Sequence, residues 1–443
     1  MTTIATKDLT RAARRDVAAY QDEALRRQLS YVATRSPFYR DKFDRAGVSA
    51  SDITCVADLQ RLPFTEKTEL RVSQSSHPPL GSHMAADPVD VVRVHASSGT
   101  TGKPSYIGIT ARDADGWAEV ASRVYACQGV TPEDTVLHGL ALGFFVGGLP
   151  IAEGVQRLGA TFVPVGTGAT DRLLQAARDL SGTVLLATPS FARYLAEHMR
   201  GKLGVDPSTL GVRRILLGAE PGGSIPAVRG EIEHNFGATV LESLGNSDVM
   251  PVYAAMCDER HGNHLLAEDH VVFEIIDPAS GEVLGWEDGM EGELVTTHLD
   301  RECVPMVRFR TRDRVVVTNR PCSCGRTAPR LTCIGRTDDL LIVNGVNVWP
   351  SAISDVVASF SPRTTGALEI VVDGPLPNIQ PPVRVRVEAA QGQATDDLRA
   401  SLEAQLRARL IARCAVELLE PDTLARTEGK TRLVRVESSR RPS

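Results

Sequence analysis

The chain has 443 residues, of which 42% are hydrophobic and 23% are charged, and its formal net charge is −6. This length exceeds one ordinary domain, and the apolar fraction is sufficient for a large buried core. The acidic balance argues against a dedicated nucleic-acid-binding protein, which would usually present a basic face. The first residues, Met1 to Ile4, contain no apolar signal core, so we expect a cytoplasmic protein.

One apolar stretch and the cysteines bear on the class of protein. Thr135–Ala152 carries no acidic or basic residue apart from His138, and its length approaches a membrane span. Its glycines and Pro150 favour a buried loop or helix beside a pocket instead. The eight cysteines are scattered in a chain without an export signal, so we do not expect a disulfide framework.

Helical and strand patterns alternate through the first part of the chain. Thr10 to Ala33 has an amphipathic pattern that ends before Pro37, because the residue before proline avoids helical geometry. The pattern then predicts helices at Asp171–Leu180 and Phe191–Met199 and strands at Val184–Ala187 and Ile215–Leu217. This alternation predicts an α/β fold, with a large N-terminal domain of mostly parallel sheets.

The pattern changes near residue 270. Val271–Asp277 and Glu293–Thr297 predict an antiparallel hairpin within a small β subdomain, at about residues 250–335. A second hairpin is predicted around Asn344-Gly345, which separates Leu340–Val343 from Val346–Trp349.

The last part of the chain combines a strand and a helix pattern. Apolar residues alternate at Val383, Val385 and Val387 and repeat every four residues from Leu398 to Leu410. We therefore predict an N-terminal domain over residues 1–337 and a smaller α+β domain over residues 338–443.

The most informative segment runs from His95 to Pro104 and follows the apolar strand Val91–Val94. Its small residues let backbone N–H groups approach phosphate oxygens, and its hydroxyls add donors. It differs from the P-loop of NTPases, because only two residues separate Gly99 from Gly102. A flexible surface turn is the alternative. The predicted phosphate-binding residues are Ser97, Ser98, Gly99, Thr100, Thr101, Gly102 and Lys103.

This loop resembles the phosphate-binding signature of the adenylate-forming superfamily, which contains acyl-CoA synthetases, luciferases and adenylation domains. The flanking motifs resemble those of the phenylacetate–CoA ligase family and occur in the same order over nearly the whole chain. They are Leu62–Arg71, His95-Ala96, Gly147–Leu149, Arg157–Thr161, Gly218–Pro221, Phe309–Asp313, Gly335–Asp339 and Arg426–Lys430.

The resemblance implies ATP-dependent activation of a carboxylic acid, aryl or arylacetic, as acyl-AMP, followed by transfer to CoA. In the first step a carboxylate oxygen attacks the α-phosphorus, so the protein must position charges and stabilise them. Lys430 matches the mobile catalytic lysine of the family. The implied partners are the acid, ATP and CoA, with no nucleic acid and no membrane, and a homodimer is left open.

The resemblance also implies roles for residues around the nucleotide. Asp313 matches the acid that binds the ribose hydroxyls, although an ion pair with Arg312 or Arg314 is the alternative. Asp338 matches the hinge of a mobile C-terminal lid, and Gly345 lies near the tunnel for the thiol acceptor. The remaining implied nucleotide contacts are Gly218, Ala219, Glu220, Pro221 and Arg336.

The acid pocket is predicted from apolar rings beside glycines, which form a slot for a flat acyl group. The residues are Phe144, Phe145, Gly147 and Gly148, and plain core packing is an equal alternative.

The chain departs from the family in the run Leu244, Gly245, Asn246, Ser247 and Asp248. The family has an aromatic residue at the first position, which packs on adenine, and a glutamate at the last, which helps to hold Mg²⁺. Leu244 can cover the base without aromatic stacking, and Asp248 keeps the negative charge for Mg²⁺ on a shorter side chain. Pro150-Ile151-Ala152 stands where relatives often carry a histidine. These departures leave the identity of the substrate undetermined, but they do not change the predicted fold.

A structural zinc site is a further implication of the resemblance, since some relatives bind zinc with cysteines and a histidine at matching positions. The matching residues are Cys257, His264, Cys322 and Cys324, which would form a closed tetrahedral site. Free thiols in a loop are the alternative.

Three other functions stay open at this point. In the first, the acyl group is transferred to a carrier-protein thiol or to an amine instead of CoA. The activated oxyacid is nitrite in another, as in diazo-forming ligases of natural-product biosynthesis. The third is a degenerate ligase that acts as a binding module, against which Lys430, Asp313 and the phosphate-binding loop argue.

Overall fold

The computed structural model describes residues 8–97, 105–344, 346–374, 376–425, 431 and 433–437. The α-helices of this part of the chain are α1 (Arg14–Arg35), α2 (Pro37–Ala46), α3 (Lys67–Ser76), α4 (Ala111–Cys127), α5 (Leu149–Leu158), α6 (Thr170–Asp179), α7 (Pro189–Gly201), α8 (Pro226–Phe236), α9 (Pro350–Ser359) and α10 (Asp396–Leu410). Short 3-10 helices lie at Ala50–Asp52, Val56–Arg61, Pro88–Asp90 and Pro207–Leu210.

The strands of the same residues, in chain order, are β1 (Val91–Ala96), β2 (Tyr106–Thr110), β3 (Thr135–His138), β4 (Thr161–Val163), β5 (Val184–Ala187), β6 (Arg214–Leu217), β7 (Thr239–Asn246), β8 (Met250–Met256), β9 (Asn263–Leu265), β10 (Val271–Ile276), β11 (Val283–Leu284), β12 (Glu291–His298), β13 (Phe309–Thr318), β14 (Arg330–Arg336), β15 (Leu341–Val343), β16 (Val346–Val348), β17 (Thr364–Asp373), β18 (Asn378–Ile379), β19 (Val383–Ala389), β20 (Cys414–Leu419) and β21 (Val434–Glu437).

The chain folds into two compact units. The first contains Met1–Gly166 and Leu241–Thr332, and the second contains Thr167–Val240 and Cys333–Ser443. The C-terminal residues thus pack in one unit with residues 167–240. The predicted boundary between the N-terminal domain and a mobile C-terminal domain, between residues 337 and 338, stays a prediction.

The first unit combines parallel and antiparallel strands. β3 and β4 pair in parallel, and β1 and β2 form an antiparallel pair of their own. Its larger sheet has the order β11-β10-β12-β13-β14-β9-β8-β7. The predicted pairing of Val271–Asp277 with Glu293–Thr297 is confirmed, because β10 pairs antiparallel with β12. The short strand β11 lies on the other edge of β10.

The α1–α2 corner shows how local sequence sets the first elements. Leu25, Leu29 and Val32 form the predicted apolar stripe of α1 and are fully buried. Helix α1 continues two residues beyond the predicted end, to Arg35. The side chain of Ser36 then caps α2 by accepting a hydrogen bond from the Tyr39 N–H, and Pro37 stands at the first helical position, where its missing N–H is harmless.

The second unit contains the predicted α+β elements. β5 and β6 pair in parallel, and α6 and α7 flank β5 in the chain, close to the predicted bounds. The predicted hairpin is confirmed as β15 paired with β16, although Gly345 lies outside the described residues. The sheet of order β20-β19-β17-β21 presents Val383, Val385 and Val387 to a core that also contains the buried leucines of α10. The α/β class predicted from the sequence is therefore confirmed.

None of the described helices combines the length and the apolar character that a membrane span requires. The apolar stretch Thr135–Ala152 contains β3, a loop and the start of α5.

Two helical glycines differ sharply in their surroundings, and this difference gives a matched test of the packing. A Cβ at Gly154 in α5 would lie 2.3 Å from the Ala121 Cβ of α4, whereas a Cβ at Gly230 in α8 would have no neighbour within 4 Å. We expect Gly154→Ala to lower the free energy of unfolding by about 1–3 kcal/mol through overpacking. Gly230→Ala should raise it by about 0.5–1 kcal/mol, because alanine loses less backbone entropy on folding.

Thermal and denaturant unfolding of the two variants beside the wild-type protein measures both shifts. Shifts of the same sign would contradict the close packing of α4 on α5.

Candidate functional site

The predicted phosphate-binding loop joins β1 to β2, and the structure describes its base. Ala96 pairs with Tyr106, and the Ser97 N–H donates to the Ser105 carbonyl over 2.9 Å. The Ala96 N–H donates to the Phe144 carbonyl over 3.0 Å. The predicted contacts Ser98, Gly99, Thr100, Thr101, Gly102 and Lys103 lie outside the described residues.

A side-chain amide holds the point where the chain leaves this loop. The Gln74 Nε2 donates to the Tyr106 carbonyl over 2.6 Å, and the Tyr106 N–H donates to the Gln74 Oε1 over 3.2 Å. Gln74 of α3 therefore pairs with Tyr106 as a neighbouring strand would, and it fixes the first residue of β2. Sequence reasoning missed Gln74. The packing of α3 against the hairpin decides this contact, and no local sequence pattern indicates which helix faces the hairpin.

The segment before α3 is joined to β13, which carries Asp313. The Thr65 N–H donates to the Arg308 carbonyl over 2.9 Å, and the Arg310 N–H donates to the Thr65 carbonyl over 3.0 Å. Farther along β13, the Asp313 N–H donates to the Thr311 hydroxyl over 3.1 Å. These bonds fix the strand from which the Asp313 carboxylate projects.

The arginines on either side of Asp313 have partners of their own. Arg312 pairs with Glu66 over 2.5 Å, and Arg314 pairs with Glu291. The pairing of Asp313 with Arg312 or Arg314 stays the alternative. The role of Asp313 as a ribose ligand stays a prediction.

The run that departs from the family lies on β7 and the turn after it. Leu244, Gly245 and Asn246 belong to β7, and the Asn246 Oδ1 accepts a hydrogen bond from the Val249 N–H over 2.8 Å. A Cβ at Gly245 would lie 2.0 Å from the Pro251 carbonyl oxygen of the adjacent strand. Only glycine permits this approach of β8, so the packing itself explains the glycine of the motif.

Asp248, the predicted Mg²⁺ ligand, forms an ion pair with Lys67. The Lys67 Nζ lies 2.5 Å from each carboxylate oxygen of Asp248, and the two side chains are 23% and 13% exposed. Charge-assisted hydrogen bonds between an ammonium and a carboxylate are stronger than neutral ones. Lys67 belongs to the motif Leu62–Arg71, but its contact with Asp248 was not predicted, because 181 residues separate the two in the chain.

One segment of the first unit contacts three parts of the predicted site. Thr65 binds β13, Lys67 binds the Asp248 turn, and Gln74 binds the exit of the phosphate-binding loop. Residues 65–74 thus touch three segments that the sequence assigns to nucleotide binding. We call residues 65–74 the anchor segment.

The predicted acid pocket has exposed rings. Phe144 and Phe145 are 49% and 41% exposed, and the Tyr106 ring lies 5.9 Å from that of Phe144. Such exposure does not fit plain core packing. At the end of β3, the buried His138 Nε2 donates to the Gly147 carbonyl over 2.9 Å, and burial lowers the pKa of His138 to about 4, which keeps the imidazole neutral.

Gly148 is confined by its own loop, because a Cβ there would lie 2.4 Å from the Leu142 carbonyl oxygen. The assignment of these residues to the acid pocket stays a prediction.

Within the second unit, Glu220 joins the predicted adenine loop to the chain next to Lys430. The Glu220 carboxylate accepts from the Ser190 N–H and from the Thr431 N–H, each over 2.7 Å. The Thr431 hydroxyl donates to the Ser190 Oγ over 2.9 Å. Lys430 precedes Thr431 in the sequence and lies outside the described residues.

The predicted adenine loop, Gly218–Pro221, contains a non-glycine residue with left-handed backbone. Ala219 has φ of 71°, a conformation that is uncommon outside glycine and that often accompanies functional sites. The predicted contact Arg336 forms a two-bond pair with the predicted hinge residue Asp338, over 2.9 and 3.0 Å. These two roles stay predictions.

The four predicted zinc ligands converge in the first unit. Their ligand atoms all lie within 4.8 Å of one another. The His264 Nε2 lies 3.6 Å from the Cys257 Sγ and 3.3 Å from the Cys324 Sγ, and Cys257 lies 3.7 Å from Cys322 between the two Sγ atoms. The His264 Nδ1 donates to the Ala328 carbonyl over 3.3 Å, which directs the Nε2 lone pair towards the thiols.

The fold explains this convergence. Cys257 directly follows β8, and His264 lies on β9, which pairs antiparallel with β8. Cys322 and Cys324 follow β13. The donor set, three thiols and an imidazole, is that of a closed structural zinc site.

A second acidic group in the first unit, Glu119, Asp269 and His270, has a cation of its own. The Arg123 guanidinium binds the Asp269 carboxylate over 2.7 and 2.8 Å and also pairs with Glu119. Asp300, 2.8 Å from the His270 Nδ1, raises the pKa of His270 to about 9 against the effect of burial. This group is a buried ionic network in which Arg123 and His270 neutralise part of the acidic charge.

Two family models match successive parts of the chain, in the order expected for an adenylate-forming enzyme. The sequence model of the AMP-binding enzyme family matches residues 18–298. The model of the AMP-binding enzyme C-terminal domain matches residues 345–438.

Individual relatives match almost the whole chain. The phenylacetate–coenzyme A ligase of Thermus thermophilus is 37% identical over 435 residues, which cover 94% of this chain and 95% of the relative. The phenylacetate–coenzyme A ligase of Escherichia coli is 36% identical over 424 residues, with coverage of 94% and 93%.

Among solved structures, a 2-hydroxyisobutyryl-CoA ligase is similar over 97% of this chain and 91% of its own. In its postadenylation state, in complex with 2-HIB-AMP, it has a TM-score of 0.90 at 29% identity. In the thioesterification state, in complex with 2-HIB-AMP and CoA, the TM-score is 0.72 at the same identity and coverage.

Proposed function

Because this chain belongs to the phenylacetate–CoA ligase family of the AMP-binding enzymes, we propose that it activates an aryl or arylacetic acid with ATP and transfers the acyl group to CoA. The observation that carries this proposal is the anchor segment, which contacts β13, the Asp248 turn and the base of the phosphate-binding loop. A site for one large anionic substrate needs such a common support, since its segments come from distant parts of the chain.

The chemistry consists of two displacements. An oxygen of the acid attacks the α-phosphorus of ATP, and pyrophosphate leaves. The sulfur of CoA then attacks the acyl carbonyl of the adenylate, and AMP leaves. The protein contributes by positioning the reactants and by stabilising charge on the phosphoryl oxygens.

The residues of this chain divide these tasks. The backbone and hydroxyls from Ser97 to Lys103 surround the phosphates, and Asp313 accepts hydrogen bonds from the ribose. Leu244 and the loop Gly218–Pro221 cover adenine. Asp248 would hold Mg²⁺, which neutralises triphosphate charge when it is bound.

The acid binds against Phe144 and Phe145. Exposed rings beside Gly147, which has no neighbour within 4 Å of its Cβ position, provide a flat apolar surface with space above it. This arrangement supports an aromatic acid. A cytoplasmic location, where ATP and CoA are available, belongs to the same proposal.

The C-terminal lid, residues 338–443, carries Lys430 to the reacting phosphate in the first half-reaction. The contact of Thr431 with Glu220 and Ser190 supports this assignment, because it attaches the residue next to Lys430 to the adenine loop. Asp338 is the hinge, and its bidentate pair with Arg336 must rearrange when the backbone turns there.

Cys257, His264, Cys322 and Cys324 hold a structural zinc ion in this proposal. The convergence of three thiols on the Nε2 lone pair of His264 supports it. Zinc would link β8, β9 and the chain after β13, and it would not enter the reaction.

ATP–pyrophosphate exchange across a panel of acids tests the activity. We expect exchange with phenylacetate or benzoate derivatives that exceeds exchange with short aliphatic acids by at least about tenfold, because a ring buries more apolar area against Phe144 and Phe145. Phe144→Ala should reduce this preference.

CoA, a carrier-protein thiol, an amine and nitrite are then supplied to the same reaction in turn. Thioester formation with CoA is the expected result. Exchange with nitrite alone would contradict the proposal.

Lys430→Ala separates the two half-reactions. We expect a loss of about 10²–10³ in adenylation, the usual effect of removing one positioned charged donor. Thioester formation from a supplied acyl-adenylate should stay near the wild-type rate. Pyrophosphate release and thioester formation are measured separately.

Glu220→Gln is the matched variant, because it keeps the shape of the side chain and weakens the bond to the Thr431 N–H. It should slow adenylation less than Lys430→Ala and should spare the second half-reaction. Adenylation by Lys430→Ala at the wild-type rate would remove Lys430 from the mechanism.

Elemental analysis tests the zinc site. We expect about one zinc per chain in the wild-type protein, and loss of most of it in His264→Ala and in Cys322→Ser, since a closed site needs all four ligands. Cys414→Ser is the control, because Cys414 is a buried thiol on β20 in the second unit. Less than about half an equivalent in the wild-type protein would defeat the assignment.

A further inference from the structure

Lys67 occupies an unfavourable position for a cation. It is the first residue of α3, where the helix dipole presents partial positive charge. A lysine at this end gains nothing from its own helix, so its position depends on a partner elsewhere. That partner is Asp248, whose two oxygens each lie 2.5 Å from the Lys67 Nζ.

The charged groups around this pair have other partners. Glu66 pairs with Arg312 and with Arg310, and Glu69 pairs with Lys42. His83 is neutral, because burial lowers the pKa of its imidazole to about 4. Lys67 and Asp248 therefore balance each other's charge.

This pairing competes with metal binding by Asp248. Mg²⁺ needs a carboxylate oxygen in near-octahedral geometry, and both oxygens of Asp248 are already hydrogen-bonded to an ammonium group. A divalent cation would have to displace Lys67 or bind beside its positive charge. Asp248 can offer a carboxylate oxygen to the ion only after the Lys67 ammonium has paired with another anion.

The triphosphate of ATP is such an anion, and it also supplies ligands for the metal. We propose that Lys67 withholds Asp248 from Mg²⁺ until ATP binds, and that the Lys67 ammonium then pairs with the triphosphate. Metal and nucleotide consequently enter this site together. The inference rests on the proposed function, and it assigns Lys67 as a nucleotide-binding residue.

Titration of the nucleotide-free protein with Mn²⁺, followed by electron paramagnetic resonance, measures the first part. Lys67→Met keeps the length of the side chain and removes its charge, so it should bind Mn²⁺ about tenfold more tightly than the wild-type protein. Lys67→Arg keeps the ion pair and should match the wild type. The double variant Lys67→Met/Asp248→Asn should lose the gain, because it has no carboxylate.

Calorimetric titration with ATP in saturating Mn²⁺ measures the second part. Lys67→Met should bind ATP about tenfold more weakly, since it lacks the ammonium that would meet the triphosphate. The two effects have opposite signs, whereas a general loosening of α3 would weaken both metal and nucleotide binding. This opposition separates a role in binding from a structural one.

Equal Mn²⁺ affinity in the wild-type protein and Lys67→Met would overturn the inference. A gain that persists in the double variant would overturn it too, because the metal would then bind elsewhere. Failure of the wild-type protein to bind ATP would overturn the proposed function, while the Mn²⁺ titration, which uses no nucleotide, would still test the Lys67–Asp248 competition.

Discussion

The backbone pairing of Thr65 with β13 is the constraint on which the first unit's site depends. Two main-chain hydrogen bonds, to Arg308 and from Arg310, attach a segment near the start of the chain to a strand more than 240 residues later. Helix α3 follows directly, so its side chains at 67 and 74 reach Asp248 and Tyr106. Loss of this attachment would release Lys67 and Gln74 together, and with them the contacts to Asp248 and Tyr106.

Ion pairs organise the polar surroundings of this attachment. Arg308 is buried and binds Glu274 in two bonds, while its guanidinium also lies 4.1 Å from the centre of the Phe64 ring. A buried pair of this kind contributes little net stability, but removal of one partner leaves a costly uncompensated charge. The same rule applies to Arg123 with Asp269. These pairs thus fix which segments can meet.

The two units contain different parts of the predicted site. The first contains the hairpin that carries the predicted phosphate-binding loop, the predicted Mg²⁺ ligand Asp248, and the predicted zinc ligands, which come from β9 and from the chain after β8 and β13. The second joins the predicted adenine loop to Thr431 through the carboxylate of Glu220. A contact made by one carboxylate and two hydroxyl-bearing residues can break without loss of an apolar core, as the proposed movement of the C-terminal lid requires.

The sequence by itself determined the α/β class, the family, and elements with clear periodicity such as α1 and α10. Periodicity and motif order are properties of the sequence that can be identified without coordinates. It also indicated the four metal-ligand candidates, although only by resemblance. Tertiary structure alone decided that Lys67 binds Asp248, that Gln74 pairs with Tyr106 and that Glu220 meets Thr431. Each of these contacts joins segments far apart in the chain, and the strand register and helix packing that bring them together are set by the burial of the whole core rather than by any local pattern.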